Sequence, residues 1–62
     1  MFIELTAKAL NEKWTINIKS VAFFYPIDNG TRIFFISDDT PLEVKEDYET
    51  VKRMINKKRL KL

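Results

Sequence analysis

The sequence predicts a mainly-β α+β domain: a five-stranded antiparallel curled sheet, or a small partly open barrel, with one C-terminal helix. Three observations carry this. Short apolar runs of period two follow one another from Phe2 to Lys45, each closed by polar turn residues. The central run, Val21 to Ile36, is apolar on both sides of its strands and breaks at Asp28-Asn29-Gly30. After Asp47 the apolar spacing changes from two to three and four. The 62 residues contain no linker or internal repeat, so residues 1–62 are read as a single domain.

A first strand is expected at about 2–6, with Phe2 and Glu4 on one face and Ile3 and Leu5 on the other. Residues 7–13 connect it to the next, with Asn11-Glu12 as the expected turn. The second strand, about 14–18, places Trp14, Ile16 and Ile18 on one face. After the polar break Lys19-Ser20 comes a third strand at about 21–27. Pro26 cannot donate to a ladder, which assigns it to an edge or a bulge. Asp28-Asn29-Gly30 supplies residues that tolerate positive φ, as a tight hairpin requires. A fourth strand follows at about 32–37, then a turn over Asp38-Asp39-Thr40-Pro41 and a short fifth strand at about 42–45.

The helix is expected at about 47–59. Asp47 is the N-cap and Glu49 lies in the first turn. Tyr48, Val51, Met54, Ile55 and then Leu62 form the apolar stripe. Its bases gather toward the C-terminal end, as the helix dipole favours.

Composition argues against catalysis. There is no cysteine and no histidine, so the commonest general base, the thiolate ligands and the commonest transition-metal ligand are all missing. A single glycine rules out a glycine-rich phosphate loop. Asp28, Asp38 and Asp39 fall at turns and Glu46, Asp47 and Glu49 at the helix start; Asp38-Asp39 puts two like charges side by side, but a calcium loop needs more oxygen ligands at regular spacing. Ser20 and Ser37 have no histidine to activate them. The expectation is a non-enzyme with no catalytic residue, cofactor, metal or small-molecule substrate. No apolar run reaches the length of a membrane span. The opening Met-Phe-Ile-Glu-Leu-Thr lacks a basic n-region, and the expected location is the cytoplasm.

Two kinds of contact remain. Strands three and four are apolar on both faces, the pattern of a sheet buried on both sides. Val21, Phe23, Tyr25 and Ile27 oppose Ala22 and Phe24, while Ile33 and Phe35 oppose Phe34 and Ile36. One helix covers one face. The other is closed by curvature or met by another chain, as a homo-oligomer or with a protein partner. Phe24, Phe34 and Ile36 are the expected outward contacts, with Tyr25 and Arg32 at the rim. The alternative is nucleic acid, bound by Lys52, Arg53, Lys57, Lys58, Arg59 and Lys61 with the hairpin aromatics as stacking platforms. Six phosphate contacts would give a salt slope of roughly −5.

The runs Thr15-Ile-Asn-Ile-Lys-Ser-Val21, Asn29-Gly-Thr-Arg-Ile33 and Leu42-Glu-Val-Lys-Glu-Asp-Tyr-Glu-Thr-Val51 resemble the small FlbD/SwrD-type flagellar and swarming-motility family. The likeness runs from Leu5-Thr6 to Ile55, and similar short proteins occur in bacteriophages. It implies strands followed by a terminal helix, a bacterial or phage accessory role and no catalytic residues. Asn17, polar between Ile16 and Ile18, is the matched position that the fold itself does not demand; it is expected to bond backbone at the strand end. Glu12, Asp39-Thr40 and Asp47 depart from the family's turn glycine, Asp-Gly turn and serine cap, and the tail from Lys57 is extra. A weaker likeness to all-β LytTR-type DNA-binding domains points to the nucleic-acid alternative.

Overall fold

A computed structural model describes residues 1–59; Leu60, Lys61 and Leu62, the last of the expected apolar stripe, lie outside the described residues. The elements are β1 (Phe2–Ala7), β2 (Glu12–Asn17), a short 3-10 turn (Ile18–Ser20), β3 (Val21–Ile27), β4 (Gly30–Phe35), β5 (Asp38–Val44) and α1 (Tyr48–Arg59). All pairings are antiparallel and the sheet order is β2-β1-β5-β4-β3, an open sheet with one C-terminal helix.

Curvature follows from connectivity. The two edge strands, β2 and β3, are joined by Ile18–Ser20 alone. From Asn17 to Val21 the chain reaches at most about 14 Å, yet a flat five-stranded sheet separates its edges by about 19 Å. The sheet must therefore curl. Asn17 holds the junction: its Oδ1 accepts from the Lys19 amide at 3.0 Å, the backbone role expected of it. The Ile18 amide donates to the Met1 carbonyl at 3.0 Å, and that of Ile36 to the Ser20 carbonyl at 2.8 Å.

Four boundaries differ from the sequence reading. Ile18 leaves β2 for the 3-10 turn yet stays buried. The first hairpin turn occupies Lys8 to Asn11, with Asn11 taking a φ of 54°, and β2 begins at Glu12. The central hairpin has a two-residue loop, Asp28-Asn29, because Ile27 already pairs with Gly30. Asn29 takes the positive φ, at 60°, and Gly30 does not. The expected turn over residues 38–41 lies instead at Ile36-Ser37, since Phe35 pairs with Asp38. The Asp38 carboxylate accepts from the Thr40 amide at 2.9 Å, and an irregularity between Ile33 and Phe35 absorbs the extra β5 residues.

The inner face of the sheet carries Ile3, Leu5, Ile16, Ile33 and Val44 against Val51 and Ile55 of α1, with Phe24, Leu42 and Met54 packed around them. Burying an aliphatic side chain of this size stabilises the fold by about 1.5–3 kcal/mol. Pro26 lies in edge strand β3, as its missing donor requires.

The β1–β5 seam is the weakest in register, with Ala7 opposite Val44 as its one ladder pair. Glu46 reinforces it across 40 residues of sequence. Its carboxylate accepts from the Thr6 amide at 2.9 and 3.1 Å and from the Thr6 hydroxyl at 2.8 Å. Its carbonyl accepts from the hydroxyl of fully buried Thr31 at 2.8 Å, tying in β4. Glu46→Ala is expected to cost about 2 kcal/mol, read as a lower urea midpoint at constant slope. An unchanged midpoint would show that the clamp carries no stability.

Asp47 caps α1. Its Oδ1 accepts from the Thr50 amide at 2.8 Å and its carbonyl from the Val51 amide at 3.0 Å. The Thr50 bond holds the carboxyl below its ordinary 3.8. A carboxyl depressed on folding adds stability that is fully present above its unfolded pKa and is lost as pH falls through the folded one. Acid is thus expected to remove part of the helical ellipticity below about pH 4. Asp47→Asn, which keeps the cap and removes the titration, should flatten that component. Identical acid profiles for the two chains would refute the linkage.

Candidate interaction surface

The two-residue loop sets the register of the β3–β4 hairpin. Tyr25 stands opposite Arg32, Phe24 opposite Ile33, and Phe23 opposite Phe34. Ile33 is fully buried on the inner face, so Phe24 follows it inward and Phe23, Tyr25, Arg32 and Phe34 point outward.

These outward side chains form one cluster. The Phe23 and Phe34 rings stack at 4.7 Å with an interplanar angle of 15°. Tyr25 lies 5.9 Å from Phe34 and 6.5 Å from Phe23. Spacings of this order are favourable between aromatic rings. A polar row borders them. The Arg32 guanidinium sits 5.7 Å from the Tyr25 ring centre and donates from Nη1 to the Tyr25 hydroxyl at 3.0 Å. It also donates to Glu43 Oε2 from Nη2 at 2.6 Å and from Nε at 3.0 Å. The bond to Tyr25, and then that to Glu43, raise the guanidinium pKa above its ordinary value. The polar row Tyr25-Arg32-Glu43 thus crosses three strands with its charges matched internally.

This face is open. Phe23 is 53% exposed and Tyr25 38%, while Phe34 is half-buried. Large aromatics beside an ordered arginine are the side-chain types that dominate interface energetics. The strand edge is a poorer template: an irregularity between Val21 and Phe23 and the missing donor of Pro26 both interrupt β3. Contact by the face is therefore better prepared than strand addition.

Of the expected contact residues, Tyr25, Arg32 and Phe34 come together here. Phe24 does not: it turns inward, its ring 5.5 Å from that of Tyr48 on α1. In β3 the expected alternation fails at the irregularity between Val21 and Phe23, which leaves Val21 packed on the core with Phe24 and puts Phe23 in the outward place. The signal was present, because a two-residue loop at Asp28-Asn29 pairs Phe23 with Phe34 directly. Ile36 is 70% exposed, but in the β4–β5 loop rather than in a strand. A second apolar surface, unforeseen from the sequence, joins Leu10 and Trp14 of the first hairpin to Pro41 and Leu42 of β5.

The basic residues Lys52, Arg53, Lys57, Lys58 and Arg59 are exposed on α1, which packs on the inner face. The outward aromatics lie on the opposite side of the sheet. The helix bases and the outward aromatics therefore do not share one face. Lys61 lies outside the described residues. Among the described residues no three His, Cys, Asp or Glu side chains gather as metal ligands, and no helix is long and apolar enough to cross a membrane. No family model, curated protein or solved structure matches the chain.

Proposed function

We propose that this chain is a small non-enzymatic interaction module, a cytoplasmic bacterial or phage accessory protein that works through protein–protein contacts, including self-association. The observation that carries the reading is the outward cluster of Phe23, Tyr25 and Phe34 on a sheet whose other face is already covered by α1. Leaving such a face in water gains nothing, whereas covering it removes apolar surface at about 25 cal/mol per Å². The likeness to FlbD/SwrD-type proteins supports the accessory role.

The accessible surface is 4409 Å². An interface of ordinary size takes about 800 Å² from each partner, a large share of so small a molecule. Self-association through one face is therefore expected to be reversible. Sedimentation velocity from about 10 μM to about 1 mM should show mass rising from the 7.4 kDa monomer toward twice that value. A strictly monomeric chain throughout would remove self-association from the reading.

A further inference from the structure

We infer that the solvent side of α1 is a second binding face, independent of the aromatic cluster, and that its ligand is the phosphate backbone of duplex DNA. The charge of the molecule is segregated. After Glu49, α1 carries Lys52, Arg53, Lys57, Lys58 and Arg59 with no further acid, whereas residues 1–47 carry five bases against eight acids. Among the described residues there are two ion pairs, Lys13–Glu4 and Arg32–Glu43, and neither uses a base of the helix. Lys52 lies 5.8 Å from the Tyr48 ring centre, and Phe2 lines a depression with Lys57 and Lys58.

Complementing the helix dipole explains bases in the last turn only. Lys52 and Arg53 sit in the first half of the helix, where that effect is spent. With Asn56 and Lys57 they line a shallow depression opposite the buried Val51 and Ile55, bordered at its N-terminal end by Glu49. A helix of 12 residues is about 18 Å long, and its exposed side fits a major groove about 12 Å wide.

Geometry selects the occupant. An amphipathic helix enters a membrane surface by its apolar stripe, but here Val51 and Ile55 are sealed against the sheet. Single strands are held by successive bases stacking on a row of aromatics. Phe23, Tyr25 and Phe34 face away from the helix, and the rings beside its bases are the half-buried Tyr48, packed on Phe24, and the lone exposed Phe2, which make no such row. A repeating anion that needs neither, the duplex backbone, remains.

The experiment is fluorescence anisotropy with a labelled mixed-sequence duplex of about 20 base pairs, a single strand of equal length, and vesicles containing about 30% phosphatidylserine. If about four of these five bases meet phosphates, the salt slope is roughly −3 to −4, hence a loss on the order of 100-fold between about 50 and about 200 mM salt. Lys52→Gln/Lys57→Gln, with its helix confirmed by far-UV ellipticity, should bind at least about tenfold more weakly and flatten the slope by about two. Phe23→Asp should leave duplex binding intact. The inference is overturned by absence of duplex binding at low salt, by binding that the double variant retains, or by preference for the single strand or the vesicles.

Discussion

Gly30→Ala is expected to destabilise the fold strongly, lowering its Tm by at least about 12 °C. Gly30 is the single glycine, and its φ is not positive, so its conformational freedom is not what the position uses. What it supplies is the absence of a side chain. A Cβ there would lie 2.1 Å from the Val44 carbonyl oxygen and 3.3 Å from its carbon. These are backbone atoms, and Val44 is fully buried and paired on both sides, with Thr31 of β4 and Ala7 of β1. Relief would require moving β5 away from a neighbour, at the seam where β1 and β5 share one ladder pair. Overpacking costs about 1–3 kcal/mol, and more when backbone must move. A domain of this length holds only about 3–9 kcal/mol in total. A loss of 3 kcal/mol corresponds to a fall in Tm of at least about 12 °C. A variant melting within a few degrees of the parent would show that β5 yields readily at Val44.

Phe23→Asp is expected to abolish self-association while leaving the fold intact, and Phe24→Asp to destabilise the fold itself. Phe23 is 53% exposed and outside the core, so the substitution opens no cavity. It removes one cross-strand aromatic pair, worth about 0.2–1 kcal/mol to the monomer. At the surface it replaces a central ring with a charge that a partner would have to desolvate. Losing a residue of this kind weakens association by about 2 kcal/mol or more, roughly 30-fold. Phe24, one position along, packs on the core and on Tyr48. Phe24 is half-buried there, and a carboxylate in its place would lose that packing and set an unpaired charge against the core, which destabilises the fold. Sedimentation and far-UV dichroism separate the outcomes. Should Phe23→Asp keep the parent's mass profile, the aromatic face is not the contact surface. Should Phe24→Asp stay folded, the inward side has been assigned wrongly.

Much of the architecture was legible in local signals. Alternation located the strands, and the three- and four-residue spacing with Asp47 at its head located the helix. Pro26 announced an edge strand, and Asn17 a backbone bond at the end of β2. The loops were read less well, for an identifiable reason. Asp38-Asp39-Thr40-Pro41 has stronger turn chemistry than Ile36-Ser37, yet the chain turns at the latter. Pairing of Phe35 with Asp38 satisfies backbone that the favoured turn would leave open, and the Asp38 side chain answers the Thr40 amide within the strand. The central loop was read one residue too long, which concealed the Phe23–Phe34 pair. The Glu46 clamp on Thr6 spans 40 residues, beyond the reach of any local pattern.

The amino-acid order by itself determined which side chains share a face wherever a strand runs regularly, because period two leaves no freedom there; the irregularity after Val21, which separates it from Phe23, lay beyond that pattern. It determined, too, that both faces of the central hairpin are apolar and that one helix is available to cover them. Which face lies inside was decided only by the assembled molecule. Alternation is symmetric between the two sides of a sheet. That symmetry is broken where Ile18–Ser20 forces the sheet to curl and where Val51 and Ile55 land, on the side of Ile33 and Phe24, leaving Phe23, Tyr25 and Phe34 to the solvent.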